Sequence, residues 1–98
     1  MIGVLLRFQF RNEFNEARIR QVAEKVRDKF DGMPGLRSKV FMFDVENREA
    51  LNFYIWDSED AARAFFSAQL VERVTELYGV RPTLQFTEVA ALVENQRT

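Results

Sequence analysis

The sequence contains no cysteine and no histidine. The first absence excludes disulfides, zinc–thiolate sites and thiol nucleophiles. The second removes the commonest metal ligand and the commonest general base at neutral pH, and with them haem carried on a proximal histidine. Glycine and proline are few, four and two, and no linker, low-complexity stretch or charge block divides the chain. Neither charge dominates: the net charge is −1, with acidic and basic residues interspersed. No basic stripe exists for duplex nucleic acid. No apolar run reaches the roughly 18 residues of a membrane span, and no basic segment precedes an apolar stretch as in a signal peptide. These absences lead us to expect a cytoplasmic protein without nucleic-acid or membrane partners.

What is present is apolar and aromatic. Ninety-eight residues make one domain, 1–98. The hydrophobic fraction is 47%, with ten phenylalanines, more aromatic surface than a single small core obviously needs. Ile2 to Phe10 alternates with period two and reads as a strand. From Phe14 to Phe30 the apolar residues Ile19, Val22, Ala23, Val26 and Phe30 recur at helical spacing, and Gly32, Pro34 and Gly35 end the helix. Leu36–Asp44 and Ala50–Trp56 read as two strands of a hairpin. Asp57 or Ser58 caps a second helix that runs to Tyr78; its pattern permits a bend near Ser67 to Gln69, and Gly79 and Pro82 close it. Thr83 to Val93 reads as a long last strand, followed by a polar tail over 94–98. The carboxylates Asp57, Glu59 and Asp60 sit where they suit the positive end of a helix dipole, which explains them better than metal binding or acid–base work. There is no phosphate-cradling glycine loop and no nucleophile elbow.

The order strand–helix–strand–strand–helix–strand gives an α+β protomer with one four-stranded sheet. Two helices blanket one face of such a sheet, and the other should then be polar in a monomer. Here Val40 and Met42 oppose Phe41 and Phe43, while Leu51, Phe53 and Ile55 oppose Tyr54 and Trp56. Whichever face meets the helices, large apolar groups remain behind it, and packing two sheets face to face in a homodimer buries them. The alternative is cover by loops or by the C-terminal tail.

Three ordered segments carry a resemblance. Met33-Pro34-Gly35-Leu36-Arg37-Ser38-Lys39-Val40-Phe41, then Tyr54-Ile55-Trp56 with Asp57-Ser58-Glu59-Asp60-Ala61-Ala62, then Tyr78-Gly79-Val80-Arg81-Pro82 resemble corresponding passages of the YdhR-type monooxygenases over about 90 residues. Leu51-Asn52-Phe53 replaces the small, glycine-rich step usual there. The resemblance implies a dimeric α+β barrel of the antibiotic biosynthesis monooxygenase-like superfamily, built from ferredoxin-like βαββαβ protomers with a four-stranded antiparallel sheet. It also implies an enzyme without metal or other cofactor, acting on a phenolic, quinol-like or polyketide-derived aromatic. Such an enzyme uses its substrate as reductant and needs an aromatic pocket, an anion stabiliser and exclusion of water.

Four residues are candidates for chemistry. Trp56 offers a stacking face and one hydrogen-bond donor, or is a core tryptophan. Tyr54, on the same face, donates to a substrate oxygen or packs an interface. Arg7 and Lys39 are cations inside apolar strands. Each faces a substrate anion, or else pairs with Glu46, Glu49 or Glu88 or reaches the sheet edge. The candidate substrate-binding residues are Asn52, which otherwise satisfies a backbone group, together with Phe41, Phe65 and Phe66, which otherwise are plain core. Two further functions fit the same fold: a cyclase or isomerase of a polyketide-like molecule, and a non-catalytic dimer that binds a small aromatic or a partner protein.

Overall fold

The computed structural model describes residues 1–95; of the expected polar tail, residues 96–98 lie outside the described residues. Strand β1 spans Ile2–Gln9, helix α1 Glu16–Val26 with a 3₁₀ turn at Arg27–Phe30, strand β2 Leu36–Asp44, strand β3 Glu49–Trp56, helix α2 Glu59–Phe65, helix α3 Ala68–Tyr78 and strand β4 Thr83–Glu88. The sheet order is β2-β3-β1-β4, and every pair is antiparallel. This is the ferredoxin-like arrangement that the resemblance implies.

Period-two alternation sorts the side chains cleanly. Ile2, Val4, Leu6 and Phe8 of β1 and Ala50, Asn52, Tyr54 and Trp56 of β3 are buried against the helices. They meet Ile19 and Val22 of α1, Ala62 of α2 and Tyr78 of α3 in one core. Helix ends follow ordinary capping. Asn15, Ser58 and Ser67 each accept a backbone N–H three residues on, at 3.1, 3.1 and 3.2 Å. Gly79 takes the left-handed conformation (φ 85°) that stops α3.

One expectation is sharpened and one corrected. The bend that the pattern permits near Ser67 to Gln69 is a full break into two helices: Phe66 leaves helical geometry (φ −86°, ψ 60°), and Ser67 caps a new start. The last strand ends at Glu88, not Val93, because its partner β1 runs out: Ile2 stands opposite Glu88, and the N–H of Val89 donates to the carbonyl of Met1 at 3.2 Å as the last link.

The other side of the sheet carries Leu5, Leu51, Phe53, Ile55, Val40 and Met42, which the register places side by side. Val40 is 46% and Met42 39% exposed. Here Gly3 matters through lack of volume: a Cβ on it would lie 2.8 Å from Thr87 Oγ1 and 2.9 Å from the Phe53 ring. That ring fills the space beside the glycine, and Thr87 Oγ1 donates to the Gly3 carbonyl at 3.1 Å. Gly3→Ala should therefore lower stability by about 1–3 kcal/mol through overpacking, read as a shifted urea midpoint at fixed protein concentration.

Candidate functional site

The alternation that buries Tyr54 also sends Lys39 towards the helices, since the two residues are cross-strand partners on β2 and β3. Lys39 is half-buried, and its Nζ donates to the Tyr54 hydroxyl at 2.7 Å. The same nitrogen lies over three rings, 3.6 Å from the centroid of Phe30, 4.1 Å from Tyr54 and 4.2 Å from Phe41. Among the described residues it has no carboxylate partner. Burial without a counter-charge pushes the amine down to about 7. The ring faces act the other way, because they favour an ammonium over a neutral amine. Burial also raises the Tyr54 hydroxyl above the usual tyrosine value, with the neighbouring Tyr78 adding to the rise, so Tyr54 keeps its proton.

This amine looks into a groove of about 880 Å³ between α1 with its 3₁₀ turn and β2. Phe30, Lys39, Phe41, Asn52 and Tyr78 are among its lining. Asn52 is 3% exposed, and its Nδ2 donates to the Tyr78 hydroxyl at 3.1 Å. Tyr78 stacks on Phe8 with centroids 4.0 Å apart, and burial raises its hydroxyl too. Tyr78 and Ile19 also line a second groove, of about 750 Å³, together with Arg11, Arg18 and Arg81.

The structure thus brings Lys39, Tyr54, Asn52 and Phe41 together. Trp56, Phe65 and Phe66 form a layer behind Tyr54 rather than a wall of the groove: Trp56 stacks on Tyr54 at 6.2 Å, and Phe66 meets Tyr54 edge-on at 4.9 Å. Trp56 is 2% exposed, and its buried Nε1 has no hydrogen-bond partner among the described residues. Arg7 is not brought to the site. It lies on the opposite face of the sheet, where its Nη1 donates to both carboxylate oxygens of Glu49 at 2.9 Å, one of the pairings open to it from sequence. Sequence reasoning missed Phe30 and Tyr78. Phe30 carried a signal as the last apolar position before the Met33-Pro34-Gly35 turn, but helical spacing alone made it core. Among the described residues no three of Asp, Glu, His and Cys gather as metal ligands, and no helix is long and apolar enough to cross a membrane.

The buried amine makes stability depend on pH. Between about pH 7 and the ordinary lysine value near 10.4, the unfolded chain holds a proton at Lys39 that the folded chain has released. Stability rises with pH wherever the unfolded state binds more protons. Above about pH 10 the unfolded tyrosines ionise while Tyr54 and Tyr78 stay protonated, so stability falls again. Urea midpoints should climb from pH 7 towards 10 and then drop, and Lys39→Met should flatten the climb.

With the geometry in place, comparison with solved structures shows which class of fold this is. The chain has the ferredoxin-like α+β fold of the antibiotic biosynthesis monooxygenase proteins. A monooxygenase from the gene ActVA-Orf6 of Streptomyces coelicolor, solved in complex with the ligand nanaomycin D, matches with a TM-score of 0.68 at 17% identity, over 97% of this chain and 92% of that one. SnoaB, a cofactor-independent oxygenase from Streptomyces nogalater, matches with a TM-score of 0.65 at 15% identity, over 96% and 97% of the two chains. A protein of unknown function from Nitrosomonas europaea matches at 0.73 and 10% identity, over 98% and 95%. At such identities the likeness is one of fold. No protein-family model and no curated protein matches the sequence.

Proposed function

We propose that the chain is a cofactor-independent monooxygenase that oxidises a phenolic or quinol-like aromatic and works as a homodimer joined through the helix-free sheet face. The observation that carries this reading is the amine–phenol pair Lys39–Tyr54, set among aromatic rings at the side of an open groove. The ligand-bound monooxygenase from Streptomyces coelicolor and the cofactor-independent oxygenase from Streptomyces nogalater, which share the fold, support it.

The chemistry follows from what these groups can do. A phenol whose ring lies against Phe30 and Phe41 presents its O–H to the neutral Lys39 amine, which takes the proton. The resulting ammonium and the Tyr54 hydroxyl then hold the phenolate oxygen. The electron-rich ring passes one electron to dioxygen, and the radical pair closes a C–O bond on a ring carbon. The peroxide then breaks its O–O bond as that carbon loses its hydrogen. A ring C–H becomes C=O, and the second oxygen atom leaves as water. Asn52, one of the groove's lining residues, is the proposed hydrogen-bond partner of a ring oxygen. Trp56, Phe65 and Phe66 act as positioning residues that fix Tyr54 from behind.

Proton transfer from an ordinary phenol near 10 to an amine near 7 is uphill by ~4 kcal/mol. Ion pairing in a partly dry site offsets part of that. Rings acidified by a carbonyl or quinone therefore suit this amine better than simple phenols. The reading is tested by oxygen uptake in metal-free, flavin-free buffer over a panel of phenols, quinols and hydroxylated polycyclic ketones. Uptake graded by phenol acidity is expected. No uptake across the panel sinks the proposal, and equal turnover under argon and air points instead to a cyclase or isomerase.

A further inference from the structure

The chain has only three lysines, Lys25, Lys29 and Lys39. Lys25 and Lys29 are exposed, on α1 and the following 3₁₀ turn. Lys39 alone has its amine enclosed on three sides by rings, held by a tyrosine hydroxyl, with the groove as its open side. An amine so placed has two capacities that proton abstraction does not exhaust: it is a nucleophile, and it has an acid beside it.

We propose that Lys39 is also a covalent site for carbonyl compounds, and that it forms an imine with an aldehyde or ketone borne on an aromatic ring. The Nζ lone pair forms a bond to the carbonyl carbon, and the C=O π pair moves to oxygen. Tyr54 gives its hydroxyl proton to that oxygen and regains one from the positively charged nitrogen, leaving a neutral carbinolamine. Protonation of the carbinolamine hydroxyl expels water as the nitrogen lone pair closes the C=N bond. The balance is amine, carbonyl and one proton giving iminium and water, with nothing oxidised or reduced.

The surroundings fit each step. The flat rings of Phe30 and Phe41 accept an aryl group beside the nitrogen. Burial keeps the Tyr54 proton in place until the alkoxide forms. The other charged groups lining the groove are Arg20 and Glu24 of α1, Arg27 and Asp28 of the 3₁₀ turn, Asp31 after it and Arg37 of β2 itself. None of these carboxylates pairs with Lys39 among the described residues, so none locks the amine as an ammonium. Burial leaves a large neutral fraction at neutral pH, whereas an ordinary lysine near 10.4 is neutral in about one molecule in 2,500 at pH 7.

The site is independent of oxygen, and so is its test. The full-length protein is incubated at pH 7 with a bicyclic aromatic aldehyde and cyanoborohydride, and the reduced adduct is mapped by peptide mass spectrometry. Labelling of Lys39 is expected to run at least about tenfold faster than at Lys25 or Lys29, a conservative share of the difference in neutral fraction. Tyr54→Phe should slow Lys39 labelling alone. A small aliphatic aldehyde should show a smaller preference, since it gains nothing from the rings. Equal labelling of the three lysines, or Lys39 as the least labelled, overturns the proposal. Because the comparison is internal to the wild-type chain, it does not depend on how any variant folds. The proposal shares with the monooxygenase reading a neutral Lys39 amine open to the groove, but it requires neither oxygen nor turnover, so the two are read separately: oxygen uptake without preferential Lys39 labelling overturns the imine site alone, and labelling without uptake overturns the monooxygenase reading alone.

Discussion

Lys39→Met should lower kcat by roughly 10²–10⁴-fold, the usual range for loss of a positioned proton acceptor, while the protein stays folded. Methionine keeps the unbranched stem that lies among Phe30, Phe41 and Tyr54 and removes the group whose burial is unfavourable. The fold should therefore be retained or strengthened near pH 7, where the wild-type amine still bears part of its charge. A defect in folding would show as lost ellipticity and an earlier melt; a defect in chemistry would show in kcat with an unchanged melt. The wild-type pH profile carries a second readout. Only the neutral amine accepts a proton, so kcat/KM should rise about tenfold per pH unit below pH 7 and level off above it. The ring faces around Nζ stabilise the ammonium, so any displacement of that limb should be upward. A flat profile from pH 5 to 9 would remove Lys39 from the reaction, whatever the substitution does to the rate.

Much of this site was legible from residue order, and the parts that were not have physical reasons. Period-two alternation is rigid, so once β2 and β3 were recognised, Asn52, Tyr54 and Trp56 had to share a face. What alternation does not give is register. Lys39 meets Tyr54 because the register runs unbroken from Asp44 opposite Glu49 at the hairpin turn, and the exact length of that turn is not announced by the alternation. A cation in an apolar strand signals that a partner is needed, but not which one. Arg7 and Lys39 carried the same signal and went opposite ways, Arg7 to Glu49 on the bare face and Lys39 to a phenol on the helical face. The break after Phe65 was hard to read for a related reason. Ala62, Phe65 and Phe66 continue in helical spacing into Leu70 and Val74, and only the Ser67 cap, one serine among several, marks the restart. β4 read long because Ala90 and Leu92 keep the strand period, but a strand lasts only as long as its neighbour and β1 stops first.

Met42→Glu should turn a dimer into a monomer. The proposed contact face holds Leu5, Leu51, Phe53, Ile55, Val40 and Met42, and four strands of six to nine residues give it a footprint of about 500 Å². That is below the ~800 Å² per partner of a standard interface. The exposed Val93 beyond β4, at 81%, is apolar surface that a partner sheet could add to it. The Arg7–Glu49 pair lies on this face with Arg7 still 42% exposed, and it can enter a dry interface as a unit because each charge brings its own partner. A glutamate at position 42 has no such partner. In the monomer it sits on edge strand β2 at a site already 39% exposed, so it costs the fold little. In a two-fold dimer both copies carry it into the contact, and an unpaired buried charge costs about 3–5 kcal/mol. The dissociation constant should rise by at least about 1,000-fold, which sedimentation at micromolar concentration would read as a single species near the chain mass of 11.5 kDa. Glu72→Lys, on the exposed side of α3, should leave the wild-type sedimentation unchanged. If the unaltered chain already sediments as a monomer at those concentrations, the bare sheet face needs another cover, and the dimer is wrong regardless of what Met42→Glu does.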